Sequence, residues 1–482
     1  MSDSSVMTNV AIIGGGISGL ATAYFLQQYA GDSIRITILE SASRPGGRII
    51  SAHENGFVVE GGPDSFITYK TEATDLCRSL GLEDRLIGTN STKHPTYVWS
   101  RDKLYPMPEG MMLMAPTMIL PFLRSNLISW PGKLRMGMEL FLPSRTTDED
   151  ESLASFVRRR LGAEALDKIA APLMAGIYAA DPETLSLQST FPLFLEMEKK
   201  HGSLLRGMML QKQAREKKAA QTDSSRAPAS MFMTLRGGLQ QMIDALVTKL
   251  HPGTLLLGRN VLAVTRKGDR YRIDVNHGEQ MLADEIIFST PAYGTANLVQ
   301  VVDSHLAAHL RMIRYVSTAT VSLAFKRKEI PHPMDGFGFV VPHSEQRKIT
   351  ACSWSSKKFK DRAPEDDVLI RVFIGGARAE EIAERSEVAL VELARQELRT
   401  TMGITATPIF AKAYRWHKAN PQYEVGHQSL VSAIEDCVAQ HSGLHLAGAA
   451  YHGAGIPDCI RSGITVAEAV AKKYSMNRCV AV

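Results

Sequence analysis

Apolar positions follow different rhythms along this chain. Near the start, Val10, Ala11, Ile12 and Ile13 form a short unbroken apolar run, as in a strand buried on both faces. A helical stretch over 16–29 and a β-branched strand over 34–39 follow. Strand, helix and strand in this order predict a βαβ unit with parallel strands and a right-handed crossover. Later the rhythm shortens. Tyr271, Ile273 and Val275 alternate along a strand that follows the turn Lys267-Gly268-Asp269. Further strands are predicted over 317–325, 337–341, 348–353, 368–374 and 409–414, with a helix over 379–402 between the last two. Strands in series with few helices between them predict an antiparallel sheet. Helical spacing marks 151–161, 185–209, 238–250 and a final helix over about 462–474.

Two stretches break these rhythms. Over 105–130 the chain carries Met107, Met111, Met112, Met114 and Met118, interrupted by Pro106, Pro108, Pro116 and Pro121. The prolines exclude one long helix, and methionine adapts to irregular apolar surfaces. Two readings stand: loosely packed helical core, or a greasy surface that touches a membrane or admits a flat apolar ligand. Over 211–230 the chain is polar, basic and poor in apolar residues, which predicts an exposed mobile loop.

Composition narrows the class. With 482 residues, 44% hydrophobic and 22% charged, the chain can bury a large core in two or three units. Its net charge of +5 suits an anionic small molecule or an anionic membrane surface and does not demand nucleic acid. The five cysteines, Cys77, Cys352, Cys437, Cys459 and Cys479, are scattered without a CxxC pair. That pattern argues against a zinc site or a disulfide framework and for a reducing, cytoplasmic setting. Residues 1–8 are polar, so no secretion signal is expected, and no apolar run is long enough to predict a spanning helix.

The turn after the first strand is Gly14-Gly15-Gly16-Ile17-Ser18-Gly19. Glycines at this spacing permit a tight turn, let the backbone approach a pyrophosphate, and let helix and strand pack closely. The helix start offers free N–H groups to phosphates. Glu40, 21 residues past Gly19, stands where an acid binds a ribose hydroxyl. It argues against a 2′-phosphorylated nucleotide but does not separate NAD from FAD. Two more small-residue loops follow. Arg44-Pro45-Gly46-Gly47-Arg48 sets arginines where they can meet phosphates, and Gly61-Gly62-Pro63-Asp64-Ser65-Phe66 lies shortly after. At the other end, a strand over 445–448 closes on Gly448. Tyr451-His452-Gly453-Ala454-Gly455-Ile456-Pro457-Asp458 then leads into the last helix. A helix start aimed at a flavin would stabilise the negative charge that gathers on its ring upon reduction.

On these paired ends the chain resembles the flavin-containing amine oxidase superfamily of the glutathione-reductase-2 type. Within it the chain resembles the oxygen-dependent porphyrinogen oxidases, bacterial soluble type. The resemblance spans nearly the whole chain. It rests most specifically on Pro172-Leu173-Met174-Ala175-Gly176-Ile177-Tyr178-Ala179-Ala180-Asp181 and Gly455-Ile456-Pro457-Asp458-Cys459-Ile460. It implies an α/β fold: a Rossmann-like FAD-binding domain, plus an α+β substrate domain built on an antiparallel sheet with a helical insertion. The implied division is FAD-binding segments over 1–85, 231–295 and 431–482, an inserted helical, membrane-facing region over 86–210, the basic loop over 211–230, and the substrate sheet over 296–430. FAD would lie across Gly14–Gly19 (with Ile17 and Ser18), Glu40, Ser41, Gly47, Arg48, Gly61, Gly62, Pro63 and Asp64, with Val261 at the adenine end. Trp416, Gly448, Ile456, Pro457 and Asp458 would lie near the isoalloxazine.

The implied reaction removes six electrons from coproporphyrinogen III and reduces three O2 to three H2O2, in heme biosynthesis, with the flavin carrying the redox chemistry. No side chain stands out as a general base. Lys70, Ile177 and Phe373 are the implied substrate residues, Lys70 as partner of a propionate; relatives often have tyrosine where Phe373 stands. Arg371 and His417 are read as structural. The next enzyme of the heme pathway and a peripheral membrane contact are the further implied partners. The rivals are protoporphyrinogen IX as substrate, an amine oxidase or desaturase of the same superfamily, and a binding protein of this fold without redox work.

Overall fold

The computed structural model describes residues 7–90, 95–112, 114–221 and 230–479. Five parallel strands form the first sheet, in the order Leu255–Leu257, Ile34–Glu40, Thr8–Ile13, Glu285–Phe288, Leu444–Leu446. The first strand is central, and its side chains alternate between two cores. Val10 and Ile12 face one with Leu20, Met242 and Ile460, whereas Ala11 and Ile13 face the other with Phe288, Leu310 and Ile434. Burial on both sides explains its unbroken apolar run. The helix Ile17–Ala30 packs along the terminal helix Ile456–Cys479. A Cβ added to Gly463 would stand 2.8 Å from the Ser18 carbonyl oxygen and 3.0 Å from Thr22 N and Oγ1. Glycine there lets the two helices, one from each end of the chain, touch backbone to backbone.

The terminal helix starts at Ile456, six residues before the expected 462. Its first turn therefore contains the Ile456-Pro457-Asp458 motif. Pro457 fits there because the first helical N–H groups have no partner within the helix.

A second sheet of seven strands runs in the order Phe410–Pro421, Tyr315–Lys326, Asp367–Gly375, Ala351–Ser353, Gly338–Val340, Thr96–Ser100, Lys103–Pro106. It is antiparallel except where Gly338–Val340 pairs parallel with Thr96–Ser100. Those two strands lie far apart in sequence, so no hairpin sets their direction. Thr96–Ser100 and Lys103–Pro106 belong to the stretch read as helical insertion, and they extend the sheet before the helices begin.

The inserted helices have their own core, with Phe156, Ile169, Met174, Phe194 and Leu204. Inside it, fully buried Arg160 and Glu139 pair, and Glu139 also accepts from Ser203 Oγ and the Leu204 N–H. The helix expected over 185–209 is broken into Leu187–Thr190, Pro192–His201 and Leu204–Gln221. Pro192 opens the second piece and left-handed Gly202 ends it. The helix Leu204–Gln221 also corrects the loop expected over 211–230, because Gln, Lys, Ala, Glu and Arg form helix well without an apolar stripe. The rest of that loop, 222–229, lies outside the described residues, as do most of the polar first eight.

In the methionine-rich stretch, Met111–Met112 and Ala115–Pro116 pair antiparallel, and Ile119–Arg124 is a short helix. Met114 and Phe122 are buried, whereas Met118, Ile119, Leu120 and Leu123 are exposed. Neither reading of this stretch covers all of it.

Candidate functional site

The glycine turn sits at the carboxyl end of the central strand. Gly14 has φ +108°, and a Cβ there would meet Ser289 Oγ at 2.9 Å. A Cβ on Gly19 would stand 2.1 Å from the Gly14 carbonyl oxygen, so this glycine serves strand–helix packing. Gly16 differs: a Cβ there would meet nothing within 4 Å. It is the N-cap of the first helix, no side chain caps it, and the first turn holds no acid. A helix start with open space at its N-cap and no side chain in the way lets a diphosphate come close to the backbone.

Glu40 ends the adjacent strand. Its Oε2 accepts the Gly15 N–H at 2.6 Å and its Oε1 the Ala42 N–H at 2.8 Å, with Ser41 Oγ at 3.4 Å. An ionised carboxylate accepts about four hydrogen bonds, so capacity remains for a ribose hydroxyl. The Gly258 N–H bonds Ala42 O at 3.0 Å and the Arg259 N–H bonds Glu40 O at 2.8 Å. These two bonds bring the start of the strand Val261–Lys267 beside Glu40, and Val261 with it.

The two arginines of the second loop behave differently. Arg44 folds back, with Nη1 on Pro45 O and Ile49 O at 3.1 Å each and Nη2 on Gly47 O at 2.6 Å. It shapes the loop, which corrects the expectation that both arginines face phosphates. Arg48 makes no hydrogen bond or ion pair among the described residues. Burial lowers its pKa, with Tyr315, Cys459 and Tyr293 nearby acting the other way, yet it keeps solvent access. A desolvated guanidinium without a partner lining a cleft is suited to an anionic group. Gly47 packs against Gly16, its notional Cβ 3.3 Å from Gly16 Cα.

The loop Gly61-Gly62-Pro63-Asp64 is clamped from the substrate sheet. Gly61 O accepts from Trp416 Nε1 at 2.9 Å, Thr320 Oγ1 at 3.0 Å and Arg371 Nη2 at 3.2 Å, and the same Arg371 nitrogen bonds Gly62 O. Asp64 pairs with Lys358 at 3.0 Å and accepts from Ser65 Oγ at 2.7 Å. Burial pushes the Asp64 carboxyl up, but Lys358, Arg371 and these hydrogen bonds outweigh it and hold it well below the usual range. A Cβ on Gly62 would lie 1.7 Å from Arg48 O, so this glycine is spent on packing. Glu60, Arg362 and Arg371 complete a buried charge cluster behind the loop around a cavity of about 10 Å³. Burial raises the Glu60 pKa, opposed by Arg362 and by hydrogen bonds from Ser51 and Leu239.

From the other end, Ala447 N–H bonds Phe288 O at 2.9 Å. Gly448 N–H bonds Ser462 Oγ at 3.0 Å, and a Cβ on Gly448 would lie 3.9 Å from Ser18 Oγ. The C-terminal turn thus lies against the first helix, beside the glycine turn. Asp458 points its carboxylate at Lys70, with Nζ–Oδ1 at 2.6 Å. Partly buried Tyr178, whose hydroxyl pKa is pushed up first by its desolvation, lies near Tyr69 and Asp458. This groups Lys70, Tyr69, Asp458 and the end of the helix Ala171–Tyr178, where Ile177 is exposed. Phe373 lies on Asp367–Gly375, its ring 4.9 Å from the Arg371 guanidinium carbon. His417 is an exposed partner of Glu384 at 2.9 Å. Lys358 and Thr320 were missed; no local motif marks them. Arg371 contacts the loop directly, and the sequence signal for it is a lone charge inside the apolar strand run 368–374.

A dinucleotide cradle closed by the far end of the chain and clamped by a mostly antiparallel sheet defines a two-domain flavoprotein. The profile described as flavin containing amine oxidoreductase matches residues 17–471, and the chain belongs to that family. It is a flavin-dependent oxidoreductase with FAD as cofactor.

Several relatives that it matches over almost its whole length are porphyrinogen oxidases. It is 37% identical to the coproporphyrinogen III oxidase of Staphylococcus aureus over 96% of this chain and 98% of that one. The figures for the Bacillus subtilis enzyme of that name are 34%, 97% and 99%. A crystal structure from Exiguobacterium sp. 255-15, provisionally described as a protoporphyrinogen oxidase, superposes with TM-score 0.85 at 32% identity, covering 97% of this chain and 99% of that one. Cyclohexylamine oxidase from Brevibacterium oxydans shares the fold at TM-score 0.68 and 15% identity, covering 97% of this chain and 99% of that one.

Proposed function

We propose that this enzyme oxidises coproporphyrinogen III to coproporphyrin III in heme biosynthesis, with three O2 reduced to three H2O2. The observation that carries this reading is 34% and 37% identity to two coproporphyrinogen III oxidases along almost the whole length of each. The cradle supports it. Gly14–Gly19 and Arg48 would hold the FAD diphosphate, Glu40 the ribose, the Val261 backbone the adenine, and the Ile456–Asp458 turn the ring. Residues Ser41, Gly47, Gly61–Asp64, Trp416 and Gly448 shape that cradle. FAD supplies the redox chemistry when bound, taking electrons from the substrate and passing them to O2. The chain orients the substrate and excludes water. Lys70, Ile177 and Phe373 would meet the porphyrinogen, with Lys70 on a carboxylate.

The test compares kcat/KM for coproporphyrinogen III and protoporphyrinogen IX on purified holoenzyme, following porphyrin fluorescence and H2O2. A higher value for the first, with three H2O2 per porphyrin, is expected. Holoenzyme that oxidises neither overturns the reading. A preference for protoporphyrinogen IX selects the second reading, which the Exiguobacterium structure and a 28% identical tobacco mitochondrial protoporphyrinogen oxidase favour.

The setting proposed is cytoplasmic and peripheral to a membrane. No helix among the described residues is long and apolar enough to cross a bilayer. Met118, Ile119, Leu120, Leu123, Trp130 and Phe141 are nonetheless exposed together in one stretch of the insertion, an apolar face of the kind that contacts lipid. The enzyme that consumes the porphyrin is the proposed macromolecular partner.

A further inference from the structure

The ion pair between Lys70 and Asp458 joins positions 388 residues apart in sequence, and its two members are held unequally. Asp458 is 7% exposed and Lys70 30%. Asp458 is fixed in the first turn of a long helix. Gly453 packs so closely that a Cβ there would lie 2.4 Å from the Asp458 Cγ, and one on Gly455 would lie 3.1 Å from its Oδ2. A carboxylate at a helix start is stabilised by the free N–H groups and the dipole whether or not a cation is nearby. Lys70 sits at the end of a four-carbon stem, in a bend after the short strand Phe66–Ile67. Its ammonium has three donors, and Asp458 is the acceptor it meets. With its lysine reached by solvent, such a pair opens more readily than one buried on both sides. Around it stand exposed Tyr69, exposed Ile177 and the partly buried ring of Tyr178, an apolar and aromatic rim beside the C-terminal turn.

We propose that Asp458 is a built-in placeholder. It holds the Lys70 ammonium at the rim in the position a substrate carboxylate takes, and a carboxylate-bearing tetrapyrrole binds by displacing it. Asp458 is then a specificity-determining residue that acts through Lys70, and it stays satisfied by its helix start when the lysine leaves. The inference rests on the porphyrinogen reading and adds the exchange to it. Its consequence is a difference of sign. Removing the lysine removes the partner of the ligand and weakens binding, whereas neutralising the aspartate removes a competitor and tightens binding. An ion pair that merely braces the fold makes both changes act in the same direction.

The test is equilibrium binding of coproporphyrin III, the oxidised tetracarboxylic acid, to holoenzyme, read by quenching of porphyrin fluorescence. Its tetramethyl ester serves as the probe without carboxylates. Lys70→Met is expected to raise Kd for the acid about tenfold and Asp458→Asn to lower it about threefold. Asp458→Ser should repeat the second effect, and ester binding should stay within about twofold throughout. FAD content and melting temperature, recorded for each variant, identify any that has lost the fold. Weaker acid binding by both aspartate variants at full FAD content overturns the proposal, as do equal shifts for acid and ester. Tight acid binding that ignores all three substitutions sinks this inference alone. Wild-type holoenzyme that binds no porphyrin sinks it together with the reading on which it rests.

Discussion

The closure between the chain ends and the segment 118–141 of the insertion are both rich in apolar residues, yet the first buries that surface and the second leaves much of it open. At the closure, small residues bring two helices into backbone contact around Ser18, Thr22 and Gly463, and Leu20, Ile460, Ala467 and Val470 share one buried core. In the insertion, Leu120 is 65% exposed and Phe141 83%. Fixed geometry is needed where a cofactor lies across two ends of the chain, because a small shift of either end would misplace its N–H donors. No such need applies to 119–141, and an apolar face left in water is a face for something else. If the contrast is sound, substitutions near the closure should cost stability and flavin, and those on the open face should cost neither.

The largest effect is expected from the clamp on Gly61. Arg371→Met leaves Asp64 and Glu60 in a buried site short of one cation, takes from Gly61 O one of its three donors and removes the Arg371 donor from Gly62 O. Breaking a buried ionic cluster costs about 3–5 kcal/mol. Loss of FAD during gel filtration and a lower urea midpoint check it. Arg371→Lys restores charge without the fork of donors, so it should recover stability better than flavin retention. A variant that keeps its FAD and its stability would show that the sheet does not hold the loop.

Next comes acid. Buried Glu285 accepts from His445 Nε2 at 2.6 Å, Lys473 Nζ at 2.5 Å and Tyr474 Oη at 2.6 Å, which ties the strand Glu285–Phe288 to the C-terminal strand and helix. Burial raises its pKa, but these hydrogen bonds prevail and bring it down to about 2. A folded-state pKa below the unfolded value gives stability that is present above about pH 4.5 and lost as the pH falls toward 2. This share is about 2 kcal/mol, since solvent reaches Lys473 and His445 and screens them. Urea midpoints from pH 6 to pH 2.5 should fall steeply for the wild type and less so for Glu285→Gln. An unchanged slope would remove Glu285 from the closure.

How much of this was legible in sequence depends on how local the cause was. The βαβ unit, the glycine turn and Glu40 were legible because strand, turn and helix are set within about 30 residues. The C-terminal motif was legible as a partner of the first because glycine-rich turns before helices have few other uses. Arg371 on Gly61 O and Lys70 on Asp458 were not legible as contacts, since each joins segments that only the tertiary fold brings together. The helix Leu204–Gln221 was missed because its residues favour helix without apolar periodicity, and the parallel pairing of Thr96–Ser100 because no turn fixes it. The exposed face of 119–141 was half legible: methionines and prolines marked an irregular apolar stretch but not which side chains would be left open.

A smaller effect tests the helix contact itself. Gly463→Ala adds one methyl against Ser18 O and Thr22. Helix propensity favours alanine by up to about 1 kcal/mol, but overpacking typically costs about 1–3 kcal/mol. A net loss of about 1 kcal/mol is expected, with reduced FAD retention. A more stable variant would mean that the helices have slack, and the contrast with the insertion would weaken.

The smallest effect on the fold should fall on the open face. Leu120→Glu and Trp130→Glu place charges where the side chains already stand in water, so stability should change by no more than about 0.5 kcal/mol and FAD should be retained in full. Their effect belongs to a different measurement. On vesicles containing anionic lipid, the wild type should co-sediment and the double variant should remain in the supernatant, since burying two large apolar side chains is worth about 3 kcal/mol or more. The two regions are thus separable by readout: the closure through flavin retention and unfolding, the face through lipid alone. A double variant that lost flavin would join the face to the cradle and break the comparison. One that still bound vesicles would leave the exposed apolar residues without the role their exposure implies.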